Sequence, residues 1–409
     1  MFVRAVWFLT EGGGFKMKET TMTNTVVLST GRKGAPGSPF DQAAAENALH
    51  FHRSLPMYEE TKLVPLVTAA EELGVKAIYL KDESTRFGLK AFKGLGGSYA
   101  VFRILCDKLG LDYRNAVFSD FMTDDNRKKC SEIVFVTATD GNHGKGVAWA
   151  SHLFGCKAYV YMPAGSVEAR RKAIEDAGAE KAVISNLNYD NVVQYASRQA
   201  EEKGWTLIQD TAWEGYEKIP QWIVEGYLTM GVEICEQLDG AVPTHVFLQA
   251  GVGAMAGGIL GYLSNVFAAK EPVFTIVEPL TVACLYESAK VGDGSIRSIS
   301  GDPVTIMAGL NCGTPCSITW QTIRDRASFY CACTDEVTEN AMRELALFPN
   351  EKERVVAGES GAVTYGVFRE VMKSDFVKRE MGINEESIIL LINTEGDTDP
   401  EGYDRVISK

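Results

Sequence analysis

The chain has 409 residues, a net charge of −13, 45% hydrophobic and 23% charged residues. That length exceeds the ~100–200 residues one compact core usually organises, so two domains are expected. The acidic balance excludes the basic face a nucleic acid requires, and no apolar run approaches the ~20 residues that cross a bilayer.

The first thirty residues hold a short apolar patch in "MFVRAVWFLTEGGGFKMKETTMTNT" without a cleavage site, and read as a loosely ordered tail rather than a signal peptide. Strands and helices then alternate. "AIYLKDE" (Ala77–Glu83) reads as a strand, and "GGSYAVFRILCDKLG" (Gly96–Gly110) as an amphipathic helix closed by glycine. Strand "IVFVTAT" (Ile133–Thr139) precedes helix "GKGVAWASHLFG" (Gly144–Gly155). Strand "KAYVYM", helix "SVEARRKAIEDAG", strand "KAVIS", helix "DNVVQYASRQAEEKG" and strand "TLIQD" follow. A second series runs "THVFLQA", "AMAGGILGYLSNVF", "PVFTIVEP", and the last strand is "SIILLIN" (Ser387–Asn393). Such alternation predicts an α/β protein with parallel-rich twisted sheets covered by helices.

Nine cysteines, odd in number and irregularly spaced, argue against a disulfide framework. Cys331-x-Cys333 lacks the spacing of a redox or zinc pair, and most thiols read as small buried hydrophobes. Cys284 and Cys312 flank "GDGSIRSISGDPVTIMAGLN" and are a possible regulatory pair. His50-x-His52 reads as helix surface or packing rather than a metal site.

Three stretches carry chemistry. In "KDESTRFGLKAFKGLGGSYA", Lys93 stands where the chain enters a helix. A partly buried amine there loses hydration and becomes nucleophilic, as an imine-forming lysine requires. Lys81 and Lys90 read as solvated amines. "TATDGNHGKGVAWA" places Asp140, Asn142 and His143 on a glycine turn between strand and helix. "QAGVGAMAGG" offers Gly251, Val252, Gly253 and Ala254 as successive backbone N–H groups at a helix start, an anion cradle. That loop also fits a dinucleotide fingerprint, with Glu278 where a ribose-binding acid would stand. A nicotinamide enzyme, however, gives no role to Lys93 or to the earlier turn. A pyridoxal phosphate enzyme uses all three: a Schiff-base lysine, a phosphate cradle, and polar groups orienting the ring. Asn142 could donate to the cofactor's phenolic oxygen, and "GESGA" with Glu359 and "NTEGDTDP" with Thr394 could hold a ring-nitrogen partner.

The order Phe92-Lys93, Gly141-Asn142-His143, the glycine loop and Glu359-Ser360-Gly361-Ala362 resembles fold-type II pyridoxal phosphate enzymes such as threonine dehydratase and the tryptophan synthase β-subunit. Within that group "TATDGNHGKGVAWA", "QDTAWEGY", "AGLNCGTP", "AGESGAVTYG" and "TEGDTDP" resemble diaminopropionate ammonia-lyase. "KLVPL" (Lys62–Leu66) departs from the family's usual Thr-Pro-Leu, with Thr61 displaced. The resemblance implies pyridoxal 5'-phosphate and an active site between two domains: 31–93 with 216–409 binding the cofactor, and 94–215 as the smaller domain. It also implies a cytoplasmic homodimer acting on a small amino acid, with no nucleic-acid or membrane partner and no metal. The implied reaction is elimination of ammonia from D- and L-2,3-diaminopropionate, giving pyruvate and two ammonia. A serine or threonine dehydratase of the same fold is the alternative. Dehydratases of this group usually carry a small neutral residue at the position of Asp140. A carboxylate there suits a substrate whose leaving group is an ammonium, and could serve as general base at Cα. Asp210, ending "TLIQD", invites the same argument; helix capping or a turn is the plainer role for either aspartate. The resemblance further implies that Lys93 and Asp140 face opposite sides of the cofactor, one serving each enantiomer.

Overall fold

The computed structural model describes residues 3–9, 16–30, 37–139, 141–301 and 303–409. They fall into two compact units. The first contains the described residues up to Asp41, Thr61–Ser84 and Glu233–Lys409; the second contains Gln42–Glu60 and Thr85–Val232. The strands are β1 (Arg4–Leu9), β2 (Lys16–Thr21), β3 (Thr25–Ser29), β4 (Lys62–Pro65), β5 (Ala77–Asp82), β6 (Val134–Ala138), β7 (Lys157–Met162), β8 (Lys181–Ile184), β9 (Thr206–Leu207), β10 (His245–Gln249), β11 (Val273–Pro279), β12 (Ala327–Cys333) and β13 (Ile388–Asn393).

The first unit holds a sheet in the order β1-β2-β3-β12-β11-β10-β13-β5-β4. Its middle, β12-β11-β10-β13-β5, is parallel, and β3 and β4 join at the two sides antiparallel. All five residues of β10 are buried, as a strand covered on both faces requires. The second unit holds the parallel sheet β8-β7-β6-β9.

Three sequence expectations shift. The segment read as a loose tail contributes β1–β3, with Met17, Met22, Val27 and Leu28 buried; β3 pairs with β12, which the sequence reading did not identify. The smaller unit is larger than 94–215. Gln42–Arg53 belongs to it because Phe51 stacks on Phe102 with ring centroids 4.1 Å apart. The start of helix Lys218–Gln237 belongs to it because a Cβ on Gly226 would come 2.6 Å from the Leu95 carbonyl oxygen. Lys93 therefore lies in this second unit, not in the larger one. Finally, β9 covers only part of "TLIQD": the Ile208 N–H still donates to the Val136 carbonyl, and beyond it the Gln209 side chain replaces backbone pairing.

Candidate active site

In the second unit, glycine sets where the reactive groups lie. Helix Lys93–Leu109 meets helix Asn142–Leu153 backbone to backbone. A Cβ on Gly146 would stand 2.9 Å from the Lys93 carbonyl oxygen, and one on Gly97 3.0 Å from the Gly146 carbonyl carbon. This contact brings Lys93, at the start of one helix, against the first turns of the other, which opens at Asn142. Lys93 Nζ lies 2.5 Å from Asp210 Oδ2, with both side chains largely buried. The Phe92 and Tyr227 rings flank Nζ at 5.4 and 5.9 Å.

Asp210 is held from both sides through its neighbour. The Gln209 side chain accepts the Ala138 N–H at 3.1 Å and donates to the Ala138 carbonyl at 2.9 Å, copying a strand partner. The Gln209 backbone N–H donates to the Tyr216 hydroxyl at 2.8 Å. His143 Nε2 lies 2.9 Å from the Ile208 carbonyl, which can only accept, so Nε2 carries the proton. Nδ1 then presents a lone pair, buried and without a hydrogen-bond partner among the described residues, 3.8 Å from Asp210 Oδ2. Burial alone would raise the Asp210 carboxyl, yet the facing His143 ring, the Lys93 ammonium and the Lys93 hydrogen bond hold it well below the usual carboxylate range. Burial lowers His143 itself, which leaves Lys93 as the cation beside Asp210.

The turn after β6 is closed by Thr139, whose hydroxyl accepts the N–H groups of Gly141 (3.0 Å) and Gly144 (3.3 Å). Thr139 thus fills much of the capping role that was one reading of Asp140. Asp140 itself lies outside the described residues.

In the first unit, β10 leads through Gly251 and Gly253 into helix Ala254–Val266. Gly253 has φ +87°, and a Cβ there would meet Ile323 Cδ1 at 2.8 Å. Gly251 packs against Leu310, whose Cα would lie 3.2 Å from an added Cβ. Among the described residues, no backbone carbonyl accepts from the N–H groups of Gly251 through Ala256. Such a row of donors on a helix N-terminus suits a phosphate. The neighbouring motifs converge on this loop. Cys316 donates its N–H to the Val252 carbonyl at 2.7 Å. Gly309 donates to Ser360 Oγ at 3.1 Å, and the Ser360 N–H to Glu395 Oε1 at 3.0 Å. Thr394, buried at the end of β13, completes the group. Glu359 Oε1 is directed instead toward Gly402, 3.0 Å from where its Cβ would stand.

A family model described as pyridoxal-phosphate dependent enzyme matches residues 55–391. The chain belongs to the pyridoxal-phosphate dependent enzyme family. Diaminopropionate ammonia-lyase of Salmonella typhimurium is 45% identical over 382 residues, covering 91% of this chain and 94% of that protein. The Escherichia coli K12 protein of the same name is 43% identical, covering 90% and 92%. The crystal structure of the Escherichia coli lyase in complex with an aminoacrylate-PLP azomethine reaction intermediate superposes with a TM-score of 0.85 at 41% identity, covering 94% of this chain and 96% of that one. Tomato threonine deaminase isoform 2 shares the fold at a TM-score of 0.70 and 20% identity.

An enzyme of this family needs an amine for the cofactor's aldehyde, donors for its phosphate and a partner for its ring nitrogen. The residues present fit: a buried-end lysine beside a carboxylate, a row of backbone N–H groups shaped by glycine, and a buried hydroxyl after β13.

Several sequence readings need correction. Lys81 is not a solvated amine: it is fully buried, 2.7 Å from Glu233 Oε2 and 2.7 Å from the Thr61 carbonyl. Displaced Thr61 donates to Glu83 in the same cluster, at 2.6 Å. Lys90 is half-buried with φ +60°. Glu278 does not face a ribose. Its carboxyl accepts the N–H groups of Leu285 and Tyr286 at 2.8 and 2.7 Å, capping helix Cys284–Val291, and burial pushes it up to about 8. His52 is buried against Thr229 and Ser98. All nine cysteines are thiols; Cys284 Sγ lies 3.5 Å from the Cys312 carbonyl oxygen rather than bonded to its sulfur. Gln209, Gln249 and Tyr216 were not singled out as site residues, and His143 was named on its turn without a role. The signal for the glutamines was an amide ending an apolar strand run.

Proposed function

We propose that this enzyme removes ammonia from the β-carbon of 2,3-diaminopropionate, D or L, and yields pyruvate and two ammonia after one water is added. The likeness to lyases of that name along nine-tenths of the chain carries the reading. Bound pyridoxal phosphate supplies an electron sink for the charge left at Cα. Lys93 would hold the cofactor through Nζ, and Asp210, held ionised beside it, orients that nitrogen by accepting its hydrogen bond. The Asp210 charge also attracts the substrate's β-ammonium. Lys93 serves as base for the L isomer and Asp140 for the D isomer. Gly251, Val252, Gly253 and Ala254 bind the phosphate, Asn142 the phenolic oxygen, and Thr394, rather than Glu359, the ring nitrogen. The protein works as a cytoplasmic homodimer; light scattering that gave a monomer under assay conditions would remove the dimer.

A substrate panel tests the reading: D- and L-2,3-diaminopropionate, D- and L-serine and L-threonine, with pyruvate, 2-oxobutyrate and ammonia measured. Two ammonia per pyruvate from both diaminopropionate isomers, with much slower hydroxyamino acids, is expected. Faster turnover of serine or threonine would transfer the assignment to a dehydratase. Among the described residues no helix is long and apolar enough to cross a membrane, and no cluster of metal-ligating side chains is present.

A further inference from the structure

Gln249 closes β10 and is almost wholly buried. Its amide is oriented by three carbonyl oxygens, those of Ile392, Ser360 and Gly361, at 2.8, 3.2 and 3.4 Å from Nε2. Carbonyls only accept, so the atom facing them must be the nitrogen, and the flip is settled by the network. The same Nε2 lies 3.2 Å from Thr394 Oγ1. An amide N–H only donates, so the Thr394 hydroxyl accepts from Gln249 and must direct its own proton elsewhere. Its acceptor within the protein, the Ser360 carbonyl, is 3.5 Å away, long for an O–H···O bond. Gln249 Oε1, meanwhile, is buried and has no hydrogen-bond partner among the described residues. An apolar side chain of similar volume would fill the space without stranding an oxygen. What the amide adds is its pair of donors.

We propose that Gln249 is a positioning residue that turns the Thr394 hydroxyl proton toward the cofactor's ring nitrogen. The proposal rests on Thr394 being the ring nitrogen's partner. By occupying a lone pair of Thr394, Gln249 leaves the hydroxyl as a donor, and a donor facing the ring nitrogen keeps that nitrogen unprotonated. Replacing the amide by a group that cannot donate frees the hydroxyl to rotate, and the nitrogen loses its fixed partner.

The test uses the full-length holoenzyme and reads the bound cofactor's absorption and emission spectra across pH, together with its dissociation constant. Gln249→Glu sets a carboxylate against three carbonyls and can block folding, so Gln249→Met is the working variant, compared with Thr394→Val and the double variant. Thr394→Val should change the pH response of the cofactor spectrum. Gln249→Met should change it in the same direction and weaken cofactor binding roughly 3- to 10-fold, as expected for one lost hydrogen bond. The double variant should move no further than Thr394→Val alone. A Gln249→Met enzyme with a lower melting temperature but the wild-type spectral pH response would overturn the proposal, as would additive effects in the double variant. An unchanged spectrum in Thr394→Val would instead remove Thr394 as the ring-nitrogen partner, and the proposal with it.

Discussion

Gly146→Ala is the most local way to perturb the proposed lysine without touching it. The added Cβ would stand 2.9 Å from the Lys93 carbonyl oxygen and 3.2 Å from the Gly94 nitrogen, both backbone atoms that cannot rotate away. Restoring an ordinary contact of ~3.5 Å requires the two helices to part by roughly 0.6 Å. Overpacking of this kind costs ~1–3 kcal/mol, and the better helix propensity of alanine returns ~0.5–1 kcal/mol. The net loss is ~0–2.5 kcal/mol, centred near ~1 kcal/mol. At ~2–4 °C per kcal/mol for a unit of this size, the melting temperature should fall by a few degrees. Activity should suffer more, since a misplacement of ~1 Å at a reacting group can cost ~10²-fold; about 10-fold in kcat is expected. Holoenzyme should still show a near-violet cofactor band that borohydride fixes, because the amine remains. Thermal melts, kcat and that spectrum are measured on one preparation. Wild-type stability together with wild-type kcat would refute the reasoning, because it would mean the crossing tolerates a methyl group.

Lys93→Ala should lose the borohydride-fixable band and Lys90→Ala keep it; a reduced adduct mapped to Lys90 would reverse the assignment. Asp140→Asn should retain fold and cofactor and lose ~10²–10⁴-fold turnover of D-2,3-diaminopropionate, the usual worth of a positioned general base, with a smaller loss on the L isomer. Equal slowing of both isomers would make Asp140 an ammonium attractor rather than a base. Asp210 titrates below its ordinary range in the folded chain. Its stabilisation is therefore complete above the unfolded value of ~3.9 and is lost as pH falls through that value toward the folded one. Holoenzyme and apoenzyme melts from pH 6 to 3 should fall less steeply in Asp210→Asn than in wild type, and parallel curves would contradict the Lys93–Asp210 pairing.

Most regular elements were legible because their periodicity was strong: β7, β10 and the helix after the glycine loop match the apolar runs to within a residue. β1–β3 were missed because lysine and threonine dilute β2, and because β3 takes its partner β12 from far along the chain. Lys81 misled for a related reason. A charge in an apolar strand reads as surface until the carboxylate that neutralises it, Glu233, is brought beside it by the fold. Glu278 stood at the right distance from the glycine loop for a ribose contact, yet the helix starting at Cys284 has N–H groups that claim it first. At the candidate site, the helix starts at Lys93 and after the glycine loop were readable from local sequence alone. The pairing of Lys93 with Asp210 was not, since it depends on two glycines letting helices touch and on Gln209 acting as a strand partner.

The strand order of the first unit also sets a timetable for synthesis. β3 finds its partner in β12, with Ser29 opposite Phe329, and β5 finds one in β13, with Ala77 opposite Ile388. Each therefore waits roughly 300 residues after leaving the ribosome, which at ~5–20 residues per second is ~15–60 s. The second unit needs nothing beyond Val232 and can close while the first is still two sheet fragments lacking their centre. For that interval the nascent chain carries open strand edges beside no partner, and the parallel strands that join them arrive only with the last half of the message.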